Sequence, residues 1–276
     1  MPHIDAVWRD YFTDSHEGIG TTYERFVLHR LFGRLARRYD IHSVLEAPAF
    51  GMTGISDINS MWWSQRGHTV TVVDHDLPRI ESAKQVWRGT HLAADFICAT
   101  DGYAALPFED AAFDLSWNFA ALRHVGDLEA FLGELTRVTR RAVFLCMPNA
   151  LGIGYVARRL LDKRERDGAA TRNTDPKRIQ ALMGARGWRL AERGLFDVPP
   201  WPDIAMKKED LLRKMGFTRL ADRVRPDARA GCILDYFRGS DRGMEQRVMR
   251  YAFLEASPCA VKTFWAHHQY MLFSSR

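Results

Sequence analysis

Cysteine is scarce in this chain, and no two cysteines lie close together. The four are Cys98, Cys146, Cys232 and Cys259, none at the short spacing that zinc sites and redox motifs use. We therefore expect buried free thiols in a reducing compartment and no metal site. His267 and His268 are adjacent, but neighbouring strand residues point to opposite faces, so they are not expected to share a metal.

Long apolar runs are also missing. No stretch approaches the roughly 18 apolar residues that a membrane-spanning helix needs, and residues 1–10 lack the charged-then-apolar pattern of a signal peptide. We therefore expect a cytoplasmic protein without a membrane span. Hydrophobic residues make up 46% of the chain and charged residues 26%, which is typical of a folded globular domain and argues against extensive disorder.

Charge is unevenly distributed along the 276 residues. Residues 1–150 hold 14 Lys+Arg and 19 Asp+Glu, a net charge of −5, whereas residues 151–276 hold 25 and 15, a net charge of +10. An acidic part favours a cationic ligand, and a basic part favours an anionic substrate, nucleic acid or a lipid surface. A solvated face of an arginine-rich protein would give the same counts, so charge alone does not choose between them.

The chain is organised around residues 43–59, SVLEAPAFGMTGISDIN. An apolar run ends at Glu46, a turn containing Gly51 and Gly54 follows, and the next residues have a helical pattern. This order is typical of a strand, a ligand loop and a helix start in an open parallel sheet, where glycine lets the backbone approach a ligand. Glu46 would repel the pyrophosphate of a dinucleotide but attract the sulfonium and ammonium groups of S-adenosylmethionine.

Later strand ends also carry acids. Residues 70–74 (VTVVD) end at Asp74, about 20 residues after the glycine loop, where a carboxylate can bind ribose hydroxyls. Asp101 follows a third apolar run, and the segments LPFED (106–110) and FDLSWN (113–118) come next. Together these features resemble the class I S-adenosylmethionine-dependent methyltransferases, especially the group that includes the ubiquinone and menaquinone biosynthesis methyltransferases. The resemblance covers about residues 39–149.

The resemblance and the succession of strand and helix patterns predict an α/β fold. We expect a Rossmann-like, doubly wound, seven-stranded sheet with helices on both faces, N-terminal helices before it and a helical cap inserted near the C-terminus. The expected domains are an N-terminal helical segment (1–40), a cofactor-binding domain (41–198 and 260–276) and the cap (199–259). Residues 18–20 are expected to form a flexible joint, residues 55–66 the first crossover helix and residues 262–273 the closing strand.

The resemblance also implies a cofactor site. Its implied residues are Glu46, Ala47, Pro48 and Gly51 at the methionine end, Asp74 and His75 at the ribose and adenosine, Asp101 and Gly102 at the adenine edge, and Asn118 near the methyl-transfer region. The loop departs from the family pattern acid-x-Gly-x-Gly-x-Gly, because Pro48 stands near the first glycine position. This indicates either a loop lengthened by one residue or a site that has lost its cofactor.

The acceptor side is less well defined by the sequence. His124, after the fourth strand, is the general-base candidate, and Tyr23 is a second catalytic candidate. A structural histidine at a helix turn and an aromatic packed on the sheet are the alternatives. Because the sulfonium is a good leaving group, in-line geometry alone can suffice. The expected substrate-binding residues are Arg25, Arg123 and Trp201, and the basic residues taken to favour an anionic acceptor are Arg158, Arg159, Lys207 and Lys208.

The leading hypothesis is an S-adenosylmethionine-dependent methyltransferase that acts on a small or medium, anionic organic acceptor by direct in-line transfer. An RNA or DNA methyltransferase is an alternative, since the basic second part could be an electrostatic footprint, but its basic residues are interspersed with acids. A non-catalytic binding subunit with the same fold would explain the irregular loop. The sequence does not define the oligomeric state.

Overall fold

The computed structural model describes residues 18–49, 56–100, 102–156, 172–200 and 232–275. The strands in chain order are β1 Ser43–Glu46, β2 Thr69–Asp74, β3 Asp95–Cys98, β4 Phe113–Phe119, β5 Thr139–Pro148, β6 Arg189–Phe196 and β7 His268–Ser274. They form one sheet in the order β3-β2-β1-β4-β5-β7-β6. The first five strands pair in parallel, and β7 runs antiparallel between β5 and β6. The predicted seven-stranded, doubly wound sheet is confirmed.

Helices cover both faces of this sheet. Those with bounds inside the described residues are α1 Gly18–Arg38, α2 Met61–Ser64, α3 Leu77–Arg88, α4 Leu128–Val138, α5 Pro176–Ala185, α6 Ile233–Phe237, α7 Met244–Met249 and α8 Cys259–Trp265. Three-residue-per-turn helices cover Ser56–Ser60, Leu122–His124 and Ala252–Ala256. Within the described ranges, no helix has both the length and the apolar character that crossing a membrane requires.

Aspartates begin three of the crossover helices. The side chains of Asp76, Asp127 and Asp175 accept hydrogen bonds from backbone N–H groups in the first turns of α3, α4 and α5. Proline follows inside the first turn of α3 and α5, where its missing N–H costs nothing. These caps make the helix starts visible in the sequence.

The two faces of the sheet bury different side chains. On one face, α1, α2, α6 and α7 pack over an aromatic cluster in which the Phe32 ring lies 4.8 Å from Trp117 and 5.1 Å from Trp63. On the other face, α4 and α5 pack aliphatic residues such as Leu132 and Ile179 against the sheet. Every residue of β4 is buried, as expected for a central parallel strand covered on both faces.

Three predicted elements were wrong in detail. Residues 18–20 are the first turn of α1 and not a joint, because the helix continues through both glycines. The first crossover is the short helix Ser56–Ser60 followed by α2, and not one helix over 55–66. The closing strand begins only at His268, because residues 259–265 form α8 after Pro258 despite the strand-favouring Thr263, Phe264 and Trp265.

The predicted cap lies only partly within the described residues. Residues 201–231 are outside them, and α6, α7 and the helix Ala252–Ala256 follow. Met244 and Val248 of α7 belong to the same core cluster as Phe26 of α1. This part of the segment therefore packs on the N-terminal helix, and the division into three domains stays a prediction.

Candidate active site at the carboxyl edge of the sheet

The predicted acids of the first two strands and Asn118 lie on one edge of the sheet. Glu46 pairs with Val72 of β2 on one side and with Trp117 of β4 on the other. Asp74 lies two residues beyond Val72, and Asn118 follows Trp117. Because the three strands are parallel, Glu46, Asp74 and Asn118 stand together at the edge where these strands end, which we call the carboxyl edge.

Glu46 is held in place by neighbouring side chains. It is fully buried, and its Oε2 accepts a 2.5 Å hydrogen bond from Ser60 Oγ. The same hydroxyl accepts a 3.1 Å hydrogen bond from Trp117 Nε1. Ser60 precedes α2 and Trp117 lies on β4, so two elements orient the carboxylate. A carboxylate positioned in advance binds a cationic group at a smaller entropic cost.

The loop after Glu46 runs between β2 and β4. Ala47 N–H donates to Trp117 O at 3.1 Å, and Ala49 N–H donates to Val73 O at 2.9 Å. Pro48, between them, is buried. These contacts explain how a proline is accommodated near the first glycine position: neighbouring strands hold the backbone there. Gly51 lies outside the described residues.

The Asn118 side chain contacts the loop after Glu46 and leaves its amide oxygen available as an acceptor. Its Nδ2 donates to Ala47 O at 3.2 Å, while its Oδ1 is buried and has no hydrogen-bond partner among the described residues. A buried acceptor left unpaired costs about 1–3 kcal/mol, so such atoms usually have a ligand or water partner. Oδ1 therefore fits a donor group of a bound molecule.

Asp74 is paired with an arginine that sequence reasoning missed. Arg79 Nε donates to Asp74 Oδ2 at 3.0 Å and Arg79 Nη2 donates to Asp74 Oδ1 at 2.6 Å. Both side chains are more than nine-tenths buried. Asp76 N–H also donates to Asp74 Oδ1 at 2.9 Å. Ribose hydroxyls would have to displace Arg79 from at least one oxygen of Asp74.

A tyrosine and a glycine shape the next part of the edge. Tyr103 Oη lies 2.8 Å from His75 Nδ1 and accepts a 3.1 Å hydrogen bond from His75 N–H. Burial raises the pKa of Tyr103, so its hydroxyl stays protonated and can donate. Gly102 has φ +80°, a conformation in which a side chain would be strained. Asp101 lies outside the described residues, and Tyr103 was not anticipated.

Asp57 is a further buried residue that sequence reasoning missed. It is 2% exposed and accepts a 2.7 Å hydrogen bond from Trp87 Nε1. Burial raises the pKa of Asp57 to about 7, although the Trp87 hydrogen bond opposes the shift. Its position in the sequence after the glycine turn was the only signal that could have singled it out.

The two catalytic candidates are placed very differently. Tyr23 is fully buried on α1, and its hydroxyl donates to Glu255 Oε1 at 2.9 Å. Burial and the Glu255 charge raise the pKa of Tyr23, which suits a positioning donor and not a base at neutral pH. His124 is exposed in the turn after β4. Arg25 is 1% exposed on α1.

The remaining expected contacts are only partly described. Arg123 is partly exposed in the turn after β4, beside His124. Trp201, Arg158, Arg159, Lys207 and Lys208 lie outside the described residues.

The expectation that His267 and His268 point apart was wrong. Their Nδ1 atoms lie 3.0 Å and 3.2 Å from the same oxygen, Asp197 Oδ2. His267 precedes β7, so strand alternation does not apply to it, and its N–H donates to Asp197 O. Burial would raise the pKa of Asp197, but hydrogen bonds from His267 and His268 outweigh this and lower it.

Residues 53–147 match the family model described as a methyltransferase domain. This stretch of the chain is therefore a methyltransferase domain. This segment includes β2 to β4 and all but the last residue of β5, so it holds Asp74 and Asn118. The resemblance predicted from the sequence is confirmed, and S-adenosylmethionine is the cofactor of this class.

Curated relatives match part of this chain. The malonyl-[acyl-carrier protein] O-methyltransferase of Salmonella typhimurium is 32% identical over 126 residues, which cover 40% of this chain and 47% of that protein. The protein of the same name from Erwinia pyrifoliae is 30% identical over 151 residues, covering 49% and 53%. The chain thus spans about half the length of the curated relatives it matches.

Solved structures match over a longer part. The YcgJ protein of Bacillus subtilis has a TM-score of 0.51 at 15% identity, covering 90% of this chain and 99% of that one. A Galdieria sulphuraria protein, described as a candidate sarcosine dimethylglycine methyltransferase, has a TM-score of 0.52 at 12% identity, covering 90% and 84%. At these identities the likeness shows the fold.

Proposed function

We propose that this chain transfers a methyl group from S-adenosylmethionine to a small or medium, anionic organic acceptor by direct in-line transfer. Two groups at the carboxyl edge carry the proposal: a buried, oriented carboxylate, and a buried amide oxygen that has no hydrogen-bond partner among the described residues. Glu46 and Asn118 supply these groups; Asn118 lies within the residues that match the methyltransferase domain, and Glu46 lies just before them. Carboxylate and amide oxygens suit the ammonium and sulfonium groups of the cofactor.

The other edge residues fit the rest of the cofactor. The bound cofactor supplies an electrophilic methyl group on a sulfonium, which is a good leaving group. Asp74 would bind the ribose hydroxyls once Arg79 yields one carboxylate oxygen. His75, Gly102 and Tyr103 would line the adenine side. These residues bind and orient the cofactor, and none of them has to transfer a proton.

The finer proposal concerns the acceptor, which we take to be a carboxylate on an acyl group carried as a thioester. The support is the name of the curated relatives, malonyl-[acyl-carrier protein] O-methyltransferase. A carboxylate is already an anionic nucleophile, so its methylation needs positioning and no base. This agrees with a Tyr23 hydroxyl whose raised pKa keeps it protonated. His124 would be the base only for a hydroxyl acceptor.

Transfer of a labelled methyl group tests this proposal. The full chain is incubated with methyl-labelled S-adenosylmethionine and either malonyl-coenzyme A or acetyl-coenzyme A, which lacks the free carboxylate. We expect a methyl ester with the malonyl thioester and none with the acetyl thioester. Equal labelling of both, or labelling only of RNA added at low salt, would contradict the carboxylate proposal. No labelling of any acceptor, with cofactor binding intact, would favour a non-catalytic binding subunit.

A further inference from the structure

The end of β6 and the start of β7 meet α1 at a buried cluster of two carboxylates and one imidazole. The cluster consists of Glu24, Asp197 and His268, whose exposed fractions are 5%, 2% and 5%. One carboxylate oxygen or ring nitrogen from each lies within 4.8 Å of the other two. We propose that these three side chains bind one divalent transition-metal ion, with Zn²⁺ as the ion that best suits the donor set.

The distances between the donor atoms suit such an ion. Four ligands with bonds of about 2.1 Å to Zn²⁺ lie about 3.4 Å apart in a tetrahedron. Here, His268 Nδ1 lies 3.2 Å from Asp197 Oδ2 and 3.8 Å from Glu24 Oε2. Binding of the ion would replace the hydrogen bond between His268 Nδ1 and Asp197 Oδ2 and release the Nδ1 proton to solvent, and small side-chain rotations would then bring all three donor atoms into the first coordination sphere. The fourth position would be open to water or to an acceptor oxygen.

The charge of the cluster also favours a cation. Two carboxylates are buried here, and burying an ionised carboxylate is costly unless a positive charge or a metal balances it. Within the described residues, Asp197 forms ion pairs with two imidazoles, those of His267 and His268. An imidazole nitrogen with two carboxylate oxygens is a donor set that zinc sites use.

Neighbouring polar groups orient the proposed ligands. His267 Nδ1 lies 3.0 Å from Asp197 Oδ2 and fixes that carboxylate from outside the cluster. Such outer hydrogen bonds to ligating carboxylates are a regular feature of metal sites.

Glu255 ties together the two chain segments that carry the carboxylates. It accepts hydrogen bonds from the Tyr23 hydroxyl at 2.9 Å and from Val198 N–H at 2.6 Å. Tyr23 and Val198 are the chain neighbours of Glu24 and Asp197. The cluster is therefore assembled by the fold before a metal ion enters.

The proposed metal site lies beside the end of β4. The His268 ring lies 4.7 Å from the ring of Phe119, at the end of β4, and 5.6 Å from that of Phe196. The proposed ion goes beyond the proposed methyl transfer and does not depend on it, because metal binding is measured without cofactor or acceptor.

Direct metal binding tests the inference. The full chain is stripped with a chelator, dialysed and titrated with Zn²⁺ by calorimetry, and metal retained after gel filtration is measured by mass spectrometry. We expect one retained equivalent of Zn²⁺. His268→Gln and Glu24→Gln should each weaken binding by more than about 100-fold, beyond the range of outer-shell changes, whereas His267→Gln should weaken it about tenfold.

An exposed histidine–aspartate pair in the same chain provides the matched control. His42 Nε2 lies 2.9 Å from Asp40 Oδ1, and the two side chains are 77% and 65% exposed. His42→Gln should leave Zn²⁺ affinity unchanged; an equal loss there would show adventitious surface binding. Absence of Zn²⁺ binding by the unaltered chain, or binding that survives His268→Gln and Glu24→Gln, would overturn the proposal.

Cobalt substitution adds a measurement that needs no variant. Co²⁺ bound to the unaltered chain should show the intense visible absorption of a four-coordinate site, displaced by Zn²⁺. The weak spectrum of hydrated Co²⁺ alone would overturn the proposal even if the variants failed to fold.

Discussion

Asp74→Ala is expected to destabilise the fold as well as to weaken cofactor binding. The variant leaves the Arg79 guanidinium, 9% exposed, without the two hydrogen bonds of 2.6 Å and 3.0 Å that now balance its charge. Breaking a buried ion pair on one side costs about 3–5 kcal/mol. Asp76 Oδ2, 3.6 Å from Arg79 Nη1, retains part of the attraction, so we expect about 3 kcal/mol.

The double variant Asp74→Ala/Arg79→Met separates stability from binding. It removes both charges, and replacing a buried ion pair by apolar groups is often nearly neutral, so most of the lost stability should return. The double variant still lacks the Asp74 carboxylate that would bind the ribose hydroxyls, so its cofactor affinity should stay low. Urea unfolding followed by circular dichroism measures the first quantity, and calorimetry with S-adenosylhomocysteine measures the second.

Two results would contradict these roles of Asp74 in stability and cofactor binding. If Asp74→Ala has the same urea unfolding midpoint as the unaltered chain, the ion pair between Asp74 and Arg79 does not stabilise the fold. A double variant that binds S-adenosylhomocysteine as tightly as the unaltered chain would remove Asp74 from the cofactor site.

Three further predictions follow from individual contacts. Asp57→Asn should flatten the pH dependence of the free energy of unfolding. Burial raises the Asp57 pKa from 3.8 to about 7, so the protonated carboxyl stabilises the fold fully below about pH 4, and this contribution is lost as the pH rises through 7. The loss, up to about 4 kcal/mol, is measured by urea unfolding at a series of pH values. Glu46→Gln should keep the Ser60 hydrogen bond yet weaken S-adenosylmethionine binding by about 10- to 100-fold in calorimetry, and unchanged affinity would exclude Glu46 from the site. Gly152→Ala should lower the free energy of unfolding by about 1–3 kcal/mol, measured by thermal unfolding, because the added Cβ would lie 2.8 Å from Ala266 O. Gly126→Ala is the control and should be nearly neutral, because its added Cβ would have no atom within 4 Å.

The local signals in the sequence were sufficient for the sheet and most crossover helices. β-branched runs such as residues 70–73 specified buried strands, and Asp76, Asp127 and Asp175 marked helix starts. The sequence also predicted that Glu46, Asp74 and Asn118 lie close together, because neighbouring parallel strands end at the same edge of a sheet. The short α8 was missed because its aromatic and β-branched residues favour a strand locally, whereas the chain turns into β7 only at His268.

The missed site contacts depend on long-range packing. Asp197 meets His268 across 71 positions of sequence, and only the antiparallel pairing of β6 with β7 brings them together. Asp197 also has φ 62°, a left-handed conformation that periodicity does not predict. Arg79 meets Asp74 across the N-terminal turn of α3, so neither strand alternation nor helix spacing pairs them.

Calorimetric titration of the purified chain with S-adenosylhomocysteine tests the central claim most directly. We expect saturable, micromolar binding that Glu46→Gln weakens. Asp95→Asn should leave binding unchanged, since Asp95 is exposed at the start of β3, away from the carboxyl edge. Absence of binding heat, together with no rise in the thermal unfolding temperature at excess ligand, would contradict a cofactor site at Glu46, Asp74 and Asn118.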